Sequence, residues 1–389
     1  MKSIGIAGST GSIGTNALTV IQQHSKDFRV VFLTANQQVQ KLAAQAKIFH
    51  PDSVIIADES KEKELRSLLK GEKIRIVSGN EAIANVCRDS SCDVVLNAIV
   101  GSKGMKPSLE TLRAGKDLAL SNKESLVMAG DIMNELSKKH KGRILPIDSE
   151  HSAIWQCILG EKEKNIKSII LTGSGGPFRE RDPKTFDSIT VEEALKHPKW
   201  LMGPKITIDS ATMMNKGLEI IEAYHLFHIP PENIDVLIHP QSIVHSLVCF
   251  VDGSVKAQLG VPDMKIPIQF ALSWPDRFPS KWESLDLAKI GHLTFTSPDY
   301  HRFPSIPLAI HALKSGGTAP AVLNIANEQA VYRFLKKEIP FTAIIPLVEH
   351  ALQAFSSSAV TNPEHLVTLE KDVTEFVNSH SWKKGVVSE

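Results

Sequence analysis

The strongest constraint on how this chain can fold lies at its amino terminus. Ser3–Gly8 is a short apolar run, Gly8-Ser9-Thr10-Gly11-Ser12-Ile13-Gly14 follows it, and Ala17–Gln22 continues with helical spacing. Strand, glycine turn and helix in that order let backbone approach a pyrophosphate and aim helix N–H groups at it. The spacing is G-x-x-G-x-x-G, so the dinucleotide fingerprint G-x-G-x-x-G is half met, and a tight turn without phosphate accounts for the same residues. The pattern then repeats. Arg29–Thr34, Ser53–Ala57, Ile74–Val77, Asp93–Ile99, Asp117–Leu120 and Arg143–Ile147 have the character of strands, and Glu59–Lys70, Asn80–Cys87, Lys106–Ala114 and Leu126–His140 that of helices. Short apolar runs alternating with helices predict an α/β fold with a parallel, doubly wound sheet.

Ligands of such sheets bind at the carboxyl ends of the strands. The second strand ends in Ala35-Asn36-Gln37-Gln38, with no Asp or Glu for a ribose 2′-hydroxyl, which favours NADP over NAD. No Arg or Lys stands at that turn either, so a 2′-phosphate would rest on amides and hydroxyls. Ser121-Asn122-Lys123-Glu124-Ser125 and Asp148-Ser149-Glu150-His151 follow two later strands. Two carboxylates one residue apart can converge on one hard cation; a solvated loop with a helix cap explains them equally.

Beyond His151 the alternation changes. Helix Ser152–Leu159 and strand Ile166–Leu171 lead to the Gly/Ser loop Thr172–Phe178, whose amides and hydroxyls suit an anion. His197-Pro198-Lys199-Trp200-Leu201-Met202-Gly203-Pro204 has the makings of a mobile lid, or of a connecting loop with one buried Trp. Ile208–Glu222 (IDSATMMNKGLEIIE) is densest in polar groups. Asp209, Ser210 and Thr212 predict a helix start, and Asn215 and Glu219 fall four apart on one face beside Lys216. A capped helix with a solvated Lys–Glu pair is one reading; an anion site beside a metal-ligating carboxylate is the other. His225, His228, His239 and His245 match no usual zinc spacing. Asp252-Gly253 marks a hairpin in a sheet with helices on one face, an edge or face of which could pair two subunits. Residues 275–305, rich in Pro, Ser and aromatics, predict a surface linker, and Ile306–Lys314, Thr318–Glu338, Phe341–Phe355 and Pro363–Asn378 a helical bundle.

Composition excludes several classes. A formal charge of +1 supplies no pull toward nucleic acid or an anionic membrane, and no apolar run reaches the roughly 18 residues of a membrane span. Four cysteines in 389 residues are no disulfide framework, and the amino terminus enters a strand pattern without a signal segment, so a cytoplasmic setting is expected. A chain this long predicts two or three domains.

These pieces, in this order, resemble the 1-deoxy-D-xylulose 5-phosphate reductoisomerase family over essentially the whole chain. The motifs are GSTGSIG at 8–14, SNKES at 121–125, IDSEHSA at 147–153, TGSGGPF at 172–178, HPKWLMG at 197–203, DSATMMNKGLE at 209–219, HPQSIVHS at 239–246, DMKIPIQFAL at 263–272 and LNIANE at 323–328. The resemblance implies a Rossmann-like NADPH-binding domain at 1–148, an α+β catalytic and dimerisation domain with a mobile lid at 149–274, a linker at 275–305 and a helical bundle at 306–389. It implies that Thr10, Gly11, Ser12, Ile13, Gln38, Asn122, Glu124 and Gly203 contact NADPH, and that Asp148, Glu150 and Glu219 ligate one Mg²⁺ or Mn²⁺ per subunit. Ser174, His197, Ser210, Asn215 and Lys216 would grip the sugar phosphate, Ser149 and Lys123 its hydroxyls, and Trp200 and Met202 would form the lid. The catalytic set would be Lys123, Asp148, Glu150 and Glu219. The activity implied is metal-assisted C–C cleavage and rejoining, then hydride reduction to 2-C-methyl-D-erythritol 4-phosphate, in a homodimer. One departure stands out: the family's usual Gly-Lys-Asn after the second strand is Asn36-Gln37-Gln38 here. A semialdehyde-type dehydrogenase needs a nucleophilic Cys with a base, and Cys157 and Cys249 lie within helix and strand patterns. A non-catalytic NADP sensor would not need metal, phosphate grip and lid together.

Overall fold

The computed structural model describes residues 1–197 and 202–381. The chain divides into two compact units. The first holds Met1–Leu126, Gly130–Gly160 and Asp263–Leu285; the second holds Val127–Ala129, Glu161–Pro262 and the chain from Asp286 onward.

In the first unit, β1 (Lys2–Ala7), β2 (Phe28–Ala35), β3 (Ser53–Ile56), β4 (Arg75–Ser78), β5 (Val94–Asn97), β6 (Asp117–Leu120) and β7 (Ile144–Pro146) form one sheet in the order β4-β3-β2-β1-β5-β6-β7. Every adjacent pair is parallel, as the alternation predicts. A parallel sheet has both faces covered, and the strands divide their side chains accordingly. Ile4, Ile6, Val54, Ile56, Val94 and Leu96 enter one apolar cluster, and Ala7, Ile55 and Val95 enter the other. β2 breaks the alternation. Its register against β1 shifts between Ile4 and Gly5, which pair with Val30 and Phe32, so Val31 and Phe32 reach the same cluster. Gly5 leaves the space this requires, since a Cβ there would sit 2.0 Å from the Phe32 ring.

Residues 263–285 belong to this unit too, and so do 149–160, which differs from the divisions at 149–274 and 275–305 expected from sequence. The reason is burial. Helix Lys265–Ser273 places Ile268, Ala271 and Leu272 in the cluster that holds Ala17 and Leu18. Trp155 packs on Phe270 and Trp274 at 4.7 and 4.9 Å, and Lys2 donates to the Leu272 and Trp274 carbonyls at 2.9 and 2.7 Å.

In the second unit, β8 (Ile166–Gly173), β9 (Ile234–Ile238), β10 (Val244–Phe250) and β11 (Val255–Leu259) make a sheet in the order β11-β10-β8-β9. β8 and β9 are parallel; β10 is antiparallel to β8 and β11, with the expected Asp252-Gly253 turn between β10 and β11. Helices Ser305–Ser315, Ala319–Leu335, Ile344–Ala354 and Pro363–Ser379 are the expected bundle. Ala319–Leu335 is buried along most of its length, and its Asn327 donates to Asp209 Oδ1 at 2.8 Å. Lys205 Nζ lies 2.8 Å from Asp209 Oδ2, and both side chains are buried. No helix among the described residues is long and apolar enough to cross a membrane.

Gly5→Ala should cost about 1–3 kcal/mol in urea unfolding through overpacking against Phe32, and combining it with Phe32→Leu should cost less than the two changes separately. Lys205→Met should cost about 3–5 kcal/mol by taking the cation from the buried Asp209 carboxylate while Asn327 remains as a neutral donor; an unchanged denaturation midpoint would show that the pair contributes nothing.

Candidate active site

The glycine turn after β1 is held from β2 and the helix that follows it. Thr34 accepts from Gly8 N at 2.9 Å through its hydroxyl and from Ser9 N at 2.8 Å through its carbonyl. Buried Gln45 accepts from Ser9 Oγ at 2.7 Å and donates to the Ser9 carbonyl at 2.9 Å. Lys41 Nζ donates to the Thr10 carbonyl at 2.7 Å. Helix α1 (Ser12–Gln23) starts from an extended Gly11, with no side-chain cap and no acid in its first turn. Its leading N–H groups and dipole therefore suit an anion. Gly11 and Ser12 are exposed and Ile13 half-buried, while Thr10 is buried beneath them. Asn36, Gln37 and Gln38 are exposed at the end of β2.

The end of β6 leads into α2 (Lys123–His140), capped by Asn122, whose side chain accepts from Ser125 N. The Asn122 amide also reaches the Ile99 and Gly101 carbonyls at 2.7 and 2.8 Å and Glu124 Oε2 at 3.0 Å. Asn122, Lys123 and Glu124 are buried. After β7 the structure corrects the sequence reading. The helix predicted from Ser152 is α3 (Ser149–Ile158), so Asp148 is its N-cap residue and Ser149 and Glu150 occupy the first turn rather than a loop. That turn aims its carboxylates together: an oxygen of Asp148 and one of Glu150 lie within 4.8 Å of each other. Lys123 Nζ stands 2.5 Å from Asp148 Oδ2, and Ser149 Oγ donates to Glu150 Oε2 at 2.5 Å. Fully buried His151, not singled out from sequence, has Nδ1 4.0 Å from Asp148 Oδ2. Its place three residues after Asp148, on one helix face, is the signal that could have found it.

In the second unit the polar stretch 208–222 is two helices, α4 (Pro204–Ala211) and α5 (Met214–Phe227), where sequence predicts one. Asp209 and Ser210 close the first helix instead of capping the second, because the chain turns at Met213, whose φ is 62°. Short polar side chains suit either end of a break, and the cap preference alone does not say which. On α5, Asn215 donates to Glu219 Oε1 and Lys216 to Glu219 Oε2, each at 2.5 Å, and Lys216 also donates to the Thr172 carbonyl. Lys216 and Glu219 are buried, so the solvated-pair reading fails.

The loop after β8 lies against α4: a Cβ on Gly176 would stand 2.6 Å from the Ser210 carbonyl. Ser174 Oγ accepts from Gly176 N at 3.3 Å and lies 3.3 Å from His197 Nε2. Burial holds the His197 imidazole down to about 4, so it is neutral at pH 7. Ser174 and His197 thus form one group, and Asn215, Lys216 and Glu219 another. Trp200 lies outside the described residues; Met202 is half-buried, and exposed Gly203 opens α4 ahead of Pro204.

Residues 4–130 match the sequence model of 1-deoxy-D-xylulose 5-phosphate reductoisomerase, residues 144–227 that of its C-terminal domain, and residues 259–376 a further DXP reductoisomerase C-terminal domain. The chain is 52% identical over 377 residues to the 1-deoxy-D-xylulose 5-phosphate reductoisomerase of Chloroherpeton thalassium, covering 97% of each. With that of Bacteroides fragilis it shares 48% over 351 residues, 90% of each. Among solved structures it resembles the Zymomonas mobilis enzyme in complex with NADPH, with a TM-score of 0.91 and 41% identity over 97% of this chain and 98% of that one. It also resembles a DOX-P reductoisomerase in complex with NADPH, fosmidomycin and magnesium, with a TM-score of 0.93, 42% identity and the same coverage. On sequence and fold together, the chain belongs to the 1-deoxy-D-xylulose 5-phosphate reductoisomerase family.

Proposed function

We propose that this protein is an NADPH- and divalent-metal-dependent oxidoreductase that rearranges and reduces 1-deoxy-D-xylulose 5-phosphate to 2-C-methyl-D-erythritol 4-phosphate, for isoprenoid precursor synthesis. The observation that carries the reading is the carboxylate pair Asp148 and Glu150, ending the same parallel sheet whose first strand opens into the glycine turn. Redox cofactor and hard cation are thereby served from one sheet edge.

The residues fit both groups. A helix start without an acid or a side-chain cap accepts a pyrophosphate, so Thr10, Gly11, Ser12 and Ile13 hold it, with Gln38 toward the adenosine ribose and Asn122, Glu124 and Gly203 further along. Asp148, Glu150 and Glu219 offer oxygen donors only, the set that magnesium and manganese prefer. When bound, the cation supplies Lewis acidity to the adjacent ketone and hydroxyl of the substrate. The chain's own groups do the positioning. Lys123, on Asp148, orients that carboxylate and with Ser149 binds the hydroxyls near the reacting carbons. Ser174, His197, Ser210, Asn215 and Lys216 grip the phosphate. Because Lys216 and Asn215 both hold Glu219, phosphate binding is tied mechanically to the third carboxylate. Neutral His197 donates one N–H without bringing a second buried charge. Binding energy at the phosphate closes Trp200 and Met202 over the reacting carbons and excludes water.

The working enzyme is a homodimer in the cytoplasm, in which groups of the first 148 residues bind cofactor, groups within 149–274 carry catalysis and the carboxyl-terminal helices support them. The exposed edge strand β11 offers backbone for a second subunit. Four free cysteines suit a reducing compartment.

Purified protein should oxidise NADPH only with 1-deoxy-D-xylulose 5-phosphate and added Mg²⁺ or Mn²⁺. Glu219→Gln should lower turnover at least about a hundredfold while NADPH still binds in a fluorescence titration; near-normal rates with magnesium would remove the three-carboxylate site. His197 gives a pH test. Its proton is bound near pH 6.5 in the unfolded chain and near 4 in the folded one, so its contribution to stability is lost as pH falls through that window. By NMR its midpoint should be near 4 and should rise when inorganic phosphate or substrate binds. A midpoint unmoved by either anion would take His197 out of the phosphate grip.

A further inference from the structure

The proposed cofactor carries a 2′-phosphate, and the turn after β2, where a doubly wound sheet receives the adenosine ribose, presents only neutral amides. Asn36, Gln37 and Gln38 are exposed and uncharged. A phosphate dianion bound by neutral amides alone lacks the charge-assisted hydrogen bonds that make such contacts strong. One cation touches the glycine turn from the helix that follows the β2 turn. Lys41 lies in the first turn of helix Val39–Phe49, and its exposed stem runs back so that Nζ donates to the Thr10 carbonyl at 2.7 Å. Its ammonium thus touches the glycine turn from the helix that follows the β2 turn, and those two turns are the elements that frame the ribose. Of the cations that follow β3, Lys61 lies 3.7 Å from Glu64 and Arg66 2.7 Å from Glu62.

An opposing charge sits across the same amides. Asp58, after β3, accepts from Gln37 Nε2 at 3.2 Å and from Ser60 Oγ at 2.6 Å. The Ser60 hydroxyl, helped by the Ser60 amide, Gln37 and Lys61, keeps this exposed carboxyl below its usual range, so it is negative at neutral pH.

We propose that Lys41 is the residue that selects NADPH through its 2′-phosphate, and that Asp58, holding Gln37, opposes it. Lysine suits the role as a compact point charge on a flexible stem, which exchanges a neutral carbonyl for a phosphate oxygen without moving backbone. The inference rests on the cofactor reading above.

Calorimetric titration of the full-length protein with 2′,5′-ADP and with 5′-AMP isolates the contribution, since the probes differ by that phosphate alone. Wild type should prefer 2′,5′-ADP. Lys41→Gln should weaken 2′,5′-ADP about tenfold, the scale of one charge-assisted hydrogen bond, with 5′-AMP little changed. Asp58→Asn should tighten 2′,5′-ADP about threefold at low salt and less at high salt. If Lys41→Gln weakens both probes equally, Lys41 only braces the glycine turn and the assignment falls while the cofactor reading stands. A wild-type protein that binds the probes equally overturns both.

Discussion

Parallel pairing is the constraint on which the first unit depends. Strands that all run one way end on one edge, so every loop that follows a strand is delivered to that edge. Because the strand order turns back at β1, the chain leaves β1 toward β2 on one side and reaches β5 on the other. The Gly8–Ile13 turn therefore opens at the reversal, and the polar groups after β6 and β7 line up beyond it. Lys123 and Asp148 come from neighbouring strands and meet at 2.5 Å for that reason. The chemistry of the edge is a by-product of direction, and the apolar clusters on both faces hold it rigid.

The second unit organises its polar groups differently, through charges buried in pairs on either side of a helix break. Lys205 pairs with Asp209 before the turn at Met213, and Lys216 with Glu219 after it. Buried ion pairs are poor sources of stability, since desolvation offsets most of their attraction. What they provide is a defined geometry. Asn327 holds Asp209 from a helix more than a hundred residues later, and Lys216 holds Glu219 while spanning to the end of β8. The first pair supports the backbone that carries Ser210; the second carries groups proposed to touch substrate.

Much of this was legible in the sequence where a single physical signal acts alone. Apolar alternation located the seven parallel strands, and Asp252-Gly253 located the hairpin, because both depend on near neighbours in the chain. Boundaries failed where two signals compete. Asp148-Ser149-Glu150 satisfies both a loop and a helix start, and Asp209-Ser210-Ala211-Thr212 both a start and an end. Cap preference reads the same for both alternatives, and the fold decided in each case.

The sequence by itself determined the order of elements, the direction of the first sheet and the kinds of side chain available for a cofactor and a cation, since those depend on local pattern and composition. Tertiary structure decided which core the Lys265–Ser273 helix joins, that Lys216 and Glu219 are buried together, and that Lys41 reaches the glycine turn. Each of these is a meeting of residues far apart in the chain, or a burial that such a meeting creates. Helix periodicity states that a face is apolar or that a charge stands beside another; it carries no record of what will cover them.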